Sequence, residues 1–195
     1  MAAMKMAARK IPVKMGIGDF IILHYPGVPK AMQSMRVARI GNFMRKYQPK
    51  DIMDWKNYIK VLTMEQLWEG FTPLCANKGE CIELRVVFTF PLRSSEPKKI
   101  QKFVAEGGRI LHNRKPDVTD NLLKGLADAL TGILWTDDSK VCLVSTLKVD
   151  GETPSTDLSV KIRQDYMAKL DVDAFLRGHD DAIQWSVAIP GTTMA

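Results

Sequence analysis

Residues 114–141 constrain this chain more than any other stretch, because they prescribe a capped helix, a tight turn and a strand with acidic side chains at both junctions. Pro116 biases Lys115 toward an extended conformation, and Thr119 or Asp120 is a good N-cap, so the spacing predicts a helix from about Asn121. Leu122, Leu123, Leu126, Ala129 and Leu130 then recur at helical spacing and supply a face to bury. Asp120, Lys124 and Asp128 follow one another at i, i+4 and i+8 along one edge. Thr131-Gly132 ends the helix, and a short loop through Trp135 delivers Asp137 and Asp138 ahead of a strand at residues 141–149. On this reading the turn folds Asp138 back beside Asp117 and Asp120.

Three carboxylates meeting at one point repel one another unless a cation lies between them, and hard oxygen ligands suit Mg2+ or Mn2+. Such an ion lowers the pKa of bound water and stabilises charge on a phosphodiester, with Lys124 placed to help. The same spacing also describes a solvated helix face with i, i+4 ion pairs and a polar turn at Asp137-Asp138.

The run Lys115-Pro-Asp-Val-Thr-Asp-Asn-Leu-Leu-Lys124, then Ala127-Asp-Ala-Leu130, Gly132, Trp135 and Asp137-Asp-Ser-Lys-Val141, resembles the RusA-type Holliday-junction resolvases and their phage-borne relatives. The resemblance implies a Mg2+-dependent endonuclease that cuts branched DNA such as four-way junctions, leaves 5′ phosphates and works as a symmetric homodimer. It implies Asp117, Asp120 and Asp138 as metal-binding, catalytic carboxylates and Lys124 as the essential lysine. Asp128, two helical turns below the cap, and Asp137 are expected to support them. His112 matches a histidine often found ahead of this motif. The chain departs from the family pattern in one place: Val118 and Thr119 both stand between Asp117 and Asp120 where a single residue is usual. A bulge or longer turn must absorb the extra one.

The chain has 195 residues and 46% apolar content, enough for one domain with an ordinary core. No run is long and apolar enough for a membrane span, and the start lacks a secretory pattern. Cys75, Cys81 and Cys142 form no metal-ligand spacing and are odd in number, and a reducing cytoplasm is the expected setting; the resemblance implies a bacterial host cell and leaves open whether a phage, a prophage or the host encodes the chain. Residues 1–116 hold 21 Lys/Arg against 9 Asp/Glu, a net +12, whereas residues 117–195 hold 7 against 13, a net −6. A basic part suits a phosphate backbone and an acidic part a cation.

In chain order we expect a basic leader at 1–16, a nuclease domain at 17–163 and a C-terminal tail at 164–195. The domain reads as α+β, a small mixed sheet of about four strands packed by helices. Strands are expected at 17–25, 81–90, 141–149 and 158–162, the last two paired as a hairpin. Helices are expected at 51–67, with Trp55 in the core, at 97–105, and in the tail at 167–176. Residues 28–50 read as a long loop whose Lys30, Arg36, Arg39, Arg45 and Lys46 track DNA phosphates, joined by Arg114, Lys115 and Lys148. Two rival functions stay open: a junction-binding protein whose catalytic site has decayed, which the extra residue supports, and a metal-dependent hydrolase of nucleotides or RNA.

Overall fold

The strand expected at 81–90, with Ile82, Leu84, Val86, Phe88 and Phe90 alternating along one face, takes the centre of the sheet. The computed structural model describes residues 20–32, 36–41, 43–75, 79–163, 168–170, 172–178 and 183–185; the expected leader at 1–16 lies outside them. In order they form β1 (Phe20–Pro26), β2 (Arg36–Ile40), β3 (Phe43–Tyr47), α1 (Lys50–Gln66), β4 (Cys81–Pro91), α2 (Lys98–Ala105) and β5 (Ile110–Leu111). A π-helical turn (Val118–Leu123) leads into α3 (Lys124–Leu130), and a 3-10 turn (Asp138–Lys140) into β6 (Val141–Gly151). β7 (Ser155–Arg163), β8 (Ala168–Leu170), α4 (Val172–Leu176) and β9 (Ile183–Trp185) complete the chain.

The five-stranded sheet has the order β1-β7-β4-β6-β5 and is mixed, because β4 runs parallel to β6 and antiparallel to β7. The expected hairpin between 141–149 and 158–162 is therefore corrected: β6 and β7 flank β4 instead of pairing. The backbone of β4 is paired on both edges, from Ile82 to Pro91 by β6 and from Cys81 to Thr89 by β7, so the two strands lie one on each side of it. A second correction concerns 28–50, where Arg36 to Ile40 pair with Tyr47 to Phe43 as an antiparallel ribbon. Gly41, half of the Gly-Asn pair that reads as a break, is a turn residue at the end of β2, with φ +62°, where glycine carries no steric penalty. In the tail, where a helix is expected at 167–176, residues 168–170 are a strand paired with β9 and Val172–Leu176 are helical.

One face of the sheet is dry. Ile21, Leu23 and Tyr25 of β1, Leu158 and Val160 of β7, and the β4 side chains from Ile82 to Phe88 form one cluster with Leu122, Leu126, Ala129 and Leu130 of the motif helix and Trp55 and Ile59 of α1. Gly125 is buried in this packing, and a Cβ there would stand 2.9 Å from Met32 Cγ and 3.7 Å from Trp55 Cζ3. Its missing side chain is what admits the neighbouring segments so closely. Helix α1 also closes the outer edge of β1: the Gln66 side chain accepts from His24 N–H at 2.9 Å and donates to His24 C=O at 2.9 Å, while Tyr58 Oη donates to the Pro26 carbonyl.

Leu126 is fully buried between helix and sheet. Leu126→Ala is expected to cost about 3 kcal/mol, the usual price of a core leucine deletion, measured by urea unfolding.

Candidate functional site

The helix carrying the motif opens on a wide turn. Leu122 N–H donates to Asp117 C=O at 3.3 Å and Lys124 N–H to Thr119 C=O, both reaching five residues back instead of four. A turn of this width takes in one more residue than an α turn, and that is how the extra residue between Asp117 and Asp120 is absorbed. The helix accordingly begins earlier than expected, at Val118, and its cap is Asp117. The Asp117 Oδ1 accepts from the N–H groups of Asp120 at 3.0 Å and Asn121 at 3.1 Å, and Oδ2 accepts from the Asn121 side-chain amide. A carboxylate has about four acceptor positions, so these three bonds leave roughly one for another partner.

Beyond the cap, Asp120 and Lys124 are exposed, while Leu122 and Leu126 of the same helix face the core. Asp128, one turn further, pairs with Lys56 Nζ at 3.0 Å and so ties α3 to α1. Trp135 sets the course of the loop that follows. It is fully buried, its Nε1 donates to Thr131 Oγ1 at 3.1 Å, and its neighbours bond on both sides to Leu74, through Leu74 N–H to Leu134 C=O at 2.9 Å and Thr136 N–H to Leu74 C=O at 3.1 Å. Asp137 then caps the 3-10 turn by accepting from Ser139 N–H at 2.8 Å, and its hydrogen bonds with Ser139, with help from Asp138 and Lys140, hold its carboxyl below the ordinary value. Asp138 opens that turn and is exposed.

These carboxylates do not converge within one chain. The segment leading to Asp117 is held over the C-terminal half of β6: His112 N–H donates to Lys148 C=O at 3.0 Å, and Lys148 Nζ donates to the carbonyls of Arg114 and of Pro116, the latter at 2.6 Å. Asp150 fastens it further, with one oxygen 2.6 Å from His112 Nδ1 and the other 2.6 Å from Arg114 Nη2, while Phe90 stacks on the His112 ring at 4.5 Å. Asp138 instead lies three residues ahead of Val141, the first residue of β6, and from Val141 to Lys148 the strand runs seven residues, about 23 Å. Among the described residues no group of three or more His, Cys, Asp or Glu stands close enough to hold a metal ion. The expectation that the turn folds Asp138 back beside Asp120 is corrected. In a helix-turn-strand unit the strand starts beside the end of the helix, so the helix mouth lies near the far end of the strand.

Lys148 and Arg114, expected on DNA, are engaged inside the chain, Arg114 with Asp150 and with Glu96 at 3.5 Å. The residues that sequence reasoning missed are Asp150 and Glu96. Asp150 reads in the sequence as half of an Asp-Gly turn; only the ladder pairing it with Ile110 reveals it as a buried anchor. Lys30 and Lys115 are exposed, as are Arg39 and Arg45 on the ribbon. A cleft of about 310 Å³ lined by Phe20, Glu83, Arg85, Ser159, Lys161 and Arg163 lies on the sheet face away from the helices, and none of its residues belongs to the motif. Two of the cysteines are poor nucleophiles: burial pushes the Cys75 thiol up to about 11, and burial together with a hydrogen bond to Cys142 pushes Cys81 up to about 12, so both are neutral at physiological pH.

An α+β domain with acidic residues at a helix mouth and at a strand entry now has its relatives. The chain belongs to the RusA endodeoxyribonuclease family, whose model, described as Endodeoxyribonuclease RusA, matches residues 26–163. It is also similar to the uncharacterized protein YqaN of Bacillus subtilis (strain 168), at 34% identity over 80 residues. That stretch is 41% of this chain and 55% of YqaN, so the likeness spans little more than half of the relative's length.

Three substitutions test this geometry. Asp117→Ala removes the cap and is expected to cost about 1 kcal/mol in urea unfolding, whereas Asp120→Ala, on the open edge, should stay within about 0.5 kcal/mol. Lys148→Met should cost about 2 kcal/mol, since it strips two carbonyls of a charged donor. The same variant should leave the salt dependence of DNA binding unchanged; a shallower slope would identify Lys148 as a phosphate contact.

Proposed function

We propose that this chain is a Mg2+-dependent, structure-selective endodeoxyribonuclease that cuts branched DNA such as four-way junctions and acts as a homodimer. The observation that carries the reading is the family match over residues 26–163, which takes in the entire helix, loop and strand bearing Asp117, Asp120, Lys124 and Asp138. The basic first part of the chain gives it a polyanionic partner. Among the described residues no helix is long and apolar enough to cross a membrane.

Asp117, Asp120 and Asp138 offer the hard oxygens that Mg2+, or Mn2+ in its place, prefers. Standing at opposite ends of β6, they fit one ion only if two copies meet. We assign the ion to that meeting, with Asp117 and Asp120 from one subunit and Asp138 from the other. Bound there, Mg2+ would supply a water of lowered pKa and neutralise phosphoryl charge. The protein's own share follows from its side chains. Lys124, one turn along from Asp120, puts a positive charge where negative charge builds on the phosphodiester. Asp117 uses most of its acceptor capacity to fix the helix mouth, and so holds Asp120 in place. Asp128 and Asp137 position the helix and the strand entry, and Arg114 and Lys148 hold the segment that leads into Asp117.

Cleavage of a four-way junction in Mg2+ is the test. Asp120→Asn and Lys124→Ala are each expected to fall at least about 100-fold while remaining folded. Full activity in either overturns the assignment. Mixing inactive Asp120→Asn with inactive Asp138→Asn should restore nicking, because a hybrid dimer contains one intact site; a mixture that stays inactive removes the shared ion. The rival reading, a junction-binding protein with a decayed site, is favoured by Asp117 being occupied as a cap, and tight junction binding without cleavage in either Mg2+ or Mn2+ would select it.

A further inference from the structure

The β2–β3 ribbon is the part of the molecule that the catalytic reading leaves unused. It pairs only with itself, and its side chains are of a kind that do not belong in water: Phe43 is 80% exposed, Met44 74%, and Val37 and Tyr47 about half. A lone two-stranded ribbon is marginal in solution, and so much exposed apolar surface marks a place where something binds. Its charge identifies the occupant. Residues 20–50 contain six Lys or Arg and not one Asp or Glu, which suits a polyanion and would repel a second copy of itself. The register places Arg45 on the face of Phe43 and Tyr47, and Arg39 on the other face beside Met44, so each side of the ribbon alternates cation with apolar group.

The ribbon's root lies at the motif. Met32 N–H donates to the carbonyl of Asn121, the residue after Asp120, at 2.9 Å, and Gln48 Nε2 on the far side of the ribbon contacts Met32 Sδ at 3.5 Å. The segments that flank the ribbon, at Met32 and at Gln48, thus meet beside the helix that carries Asp120 and Lys124. A two-stranded ribbon is of a size to enter the major groove, and apolar side chains at a protruding tip act on DNA as wedges and stacking platforms.

We infer that the ribbon senses DNA branching: Phe43 at its tip stacks on a base left unstacked at the branch point, while Arg39 and Arg45 hold phosphates on either side. An intact duplex has no such base, so the stacking contributes only on branched DNA. The inference rests on the branched-DNA reading above and deepens it by naming the selectivity element.

The test is binding of the full chain in EDTA, where nothing is cut, to a four-way junction with 2-aminopurine at the branch point and to a linear duplex of matching sequence. Phe43→Ala is expected to weaken junction binding about tenfold, leave duplex binding and thermal stability unchanged, and abolish the quenching of 2-aminopurine that the natural chain and Phe43→Trp produce. Arg39→Ala with Arg45→Ala should weaken both DNAs and make the salt slope shallower by about 2. The inference is overturned if Phe43→Ala binds the junction as tightly as the natural chain, if it weakens duplex binding equally, or if it converts a dimer to a monomer in sedimentation, which would make the ribbon a subunit contact. A natural chain that does not prefer the junction to the duplex overturns the branched-DNA reading and this inference together; a natural chain with that preference, unaltered by Phe43→Ala, overturns only the ribbon's part.

Discussion

Burial of the motif helix against β4 is the contact on which the rest depends. Leu122, Leu126, Ala129 and Leu130 must lie on Ile82, Leu84, Val86 and Phe88 to leave water, and once they do the rotation of the helix is settled. Asp120 and Lys124 are then obliged to face solvent along the opposite edge, whatever chemistry they perform. The polar side of the helix is thus a consequence of its apolar side.

The same packing settles direction. With its C-terminal end bonded through Leu134 and Thr136 to Leu74, and its mouth clamped by Lys148 and Asp150 to the far end of β6, the helix spans the sheet from one end to the other. Residues within a 22-residue sequence interval, Asp117 to Asp138, are carried to opposite poles. A motif compact in sequence need not be compact in space, and here a helix in its middle guarantees that it is not.

Much of this was legible in the residues. The apolar spacing of Ile52, Trp55 and Ile59 announces α1, Cys81 to Phe90 announces β4, and the leucines of 122–130 announce the face that meets it. What stayed hidden depends on partners distant in the chain. Asp150 reads as a turn residue until His112 and Arg114 are seen to reach it, and Lys148 reads as a surface cation until two carbonyls are found above it. The strand order is equally silent in the sequence, since β6 and β7 are joined by a short link that reads as a hairpin, while β4, distant in the chain, lies between them. The ribbon was overlooked because Gly41-Asn42 signals both a break and a hairpin turn, and alternating arginines conceal a strand that buries neither face. The wide turn after Asp117 follows from a count of residues, but whether an insertion becomes a loop or a helical expansion depends on whether Leu122 and Leu126 keep their places in the core.

The clasp of Gln66 on His24 has a bearing on how copies of this molecule can meet. Open strand borders invite neighbouring chains to extend the sheet, and β1 forms one border. With His24's peptide groups already matched by an amide from α1, and Pro26's carbonyl by Tyr58, that border offers a newcomer no continuous row of unmet donors and acceptors. On the other side β5 covers only Val149 and Asp150 of β6, so among the described residues the first part of β6 is the border left open. Strand addition between copies is therefore barred along β1 and left to the start of β6, the end that carries Asp138.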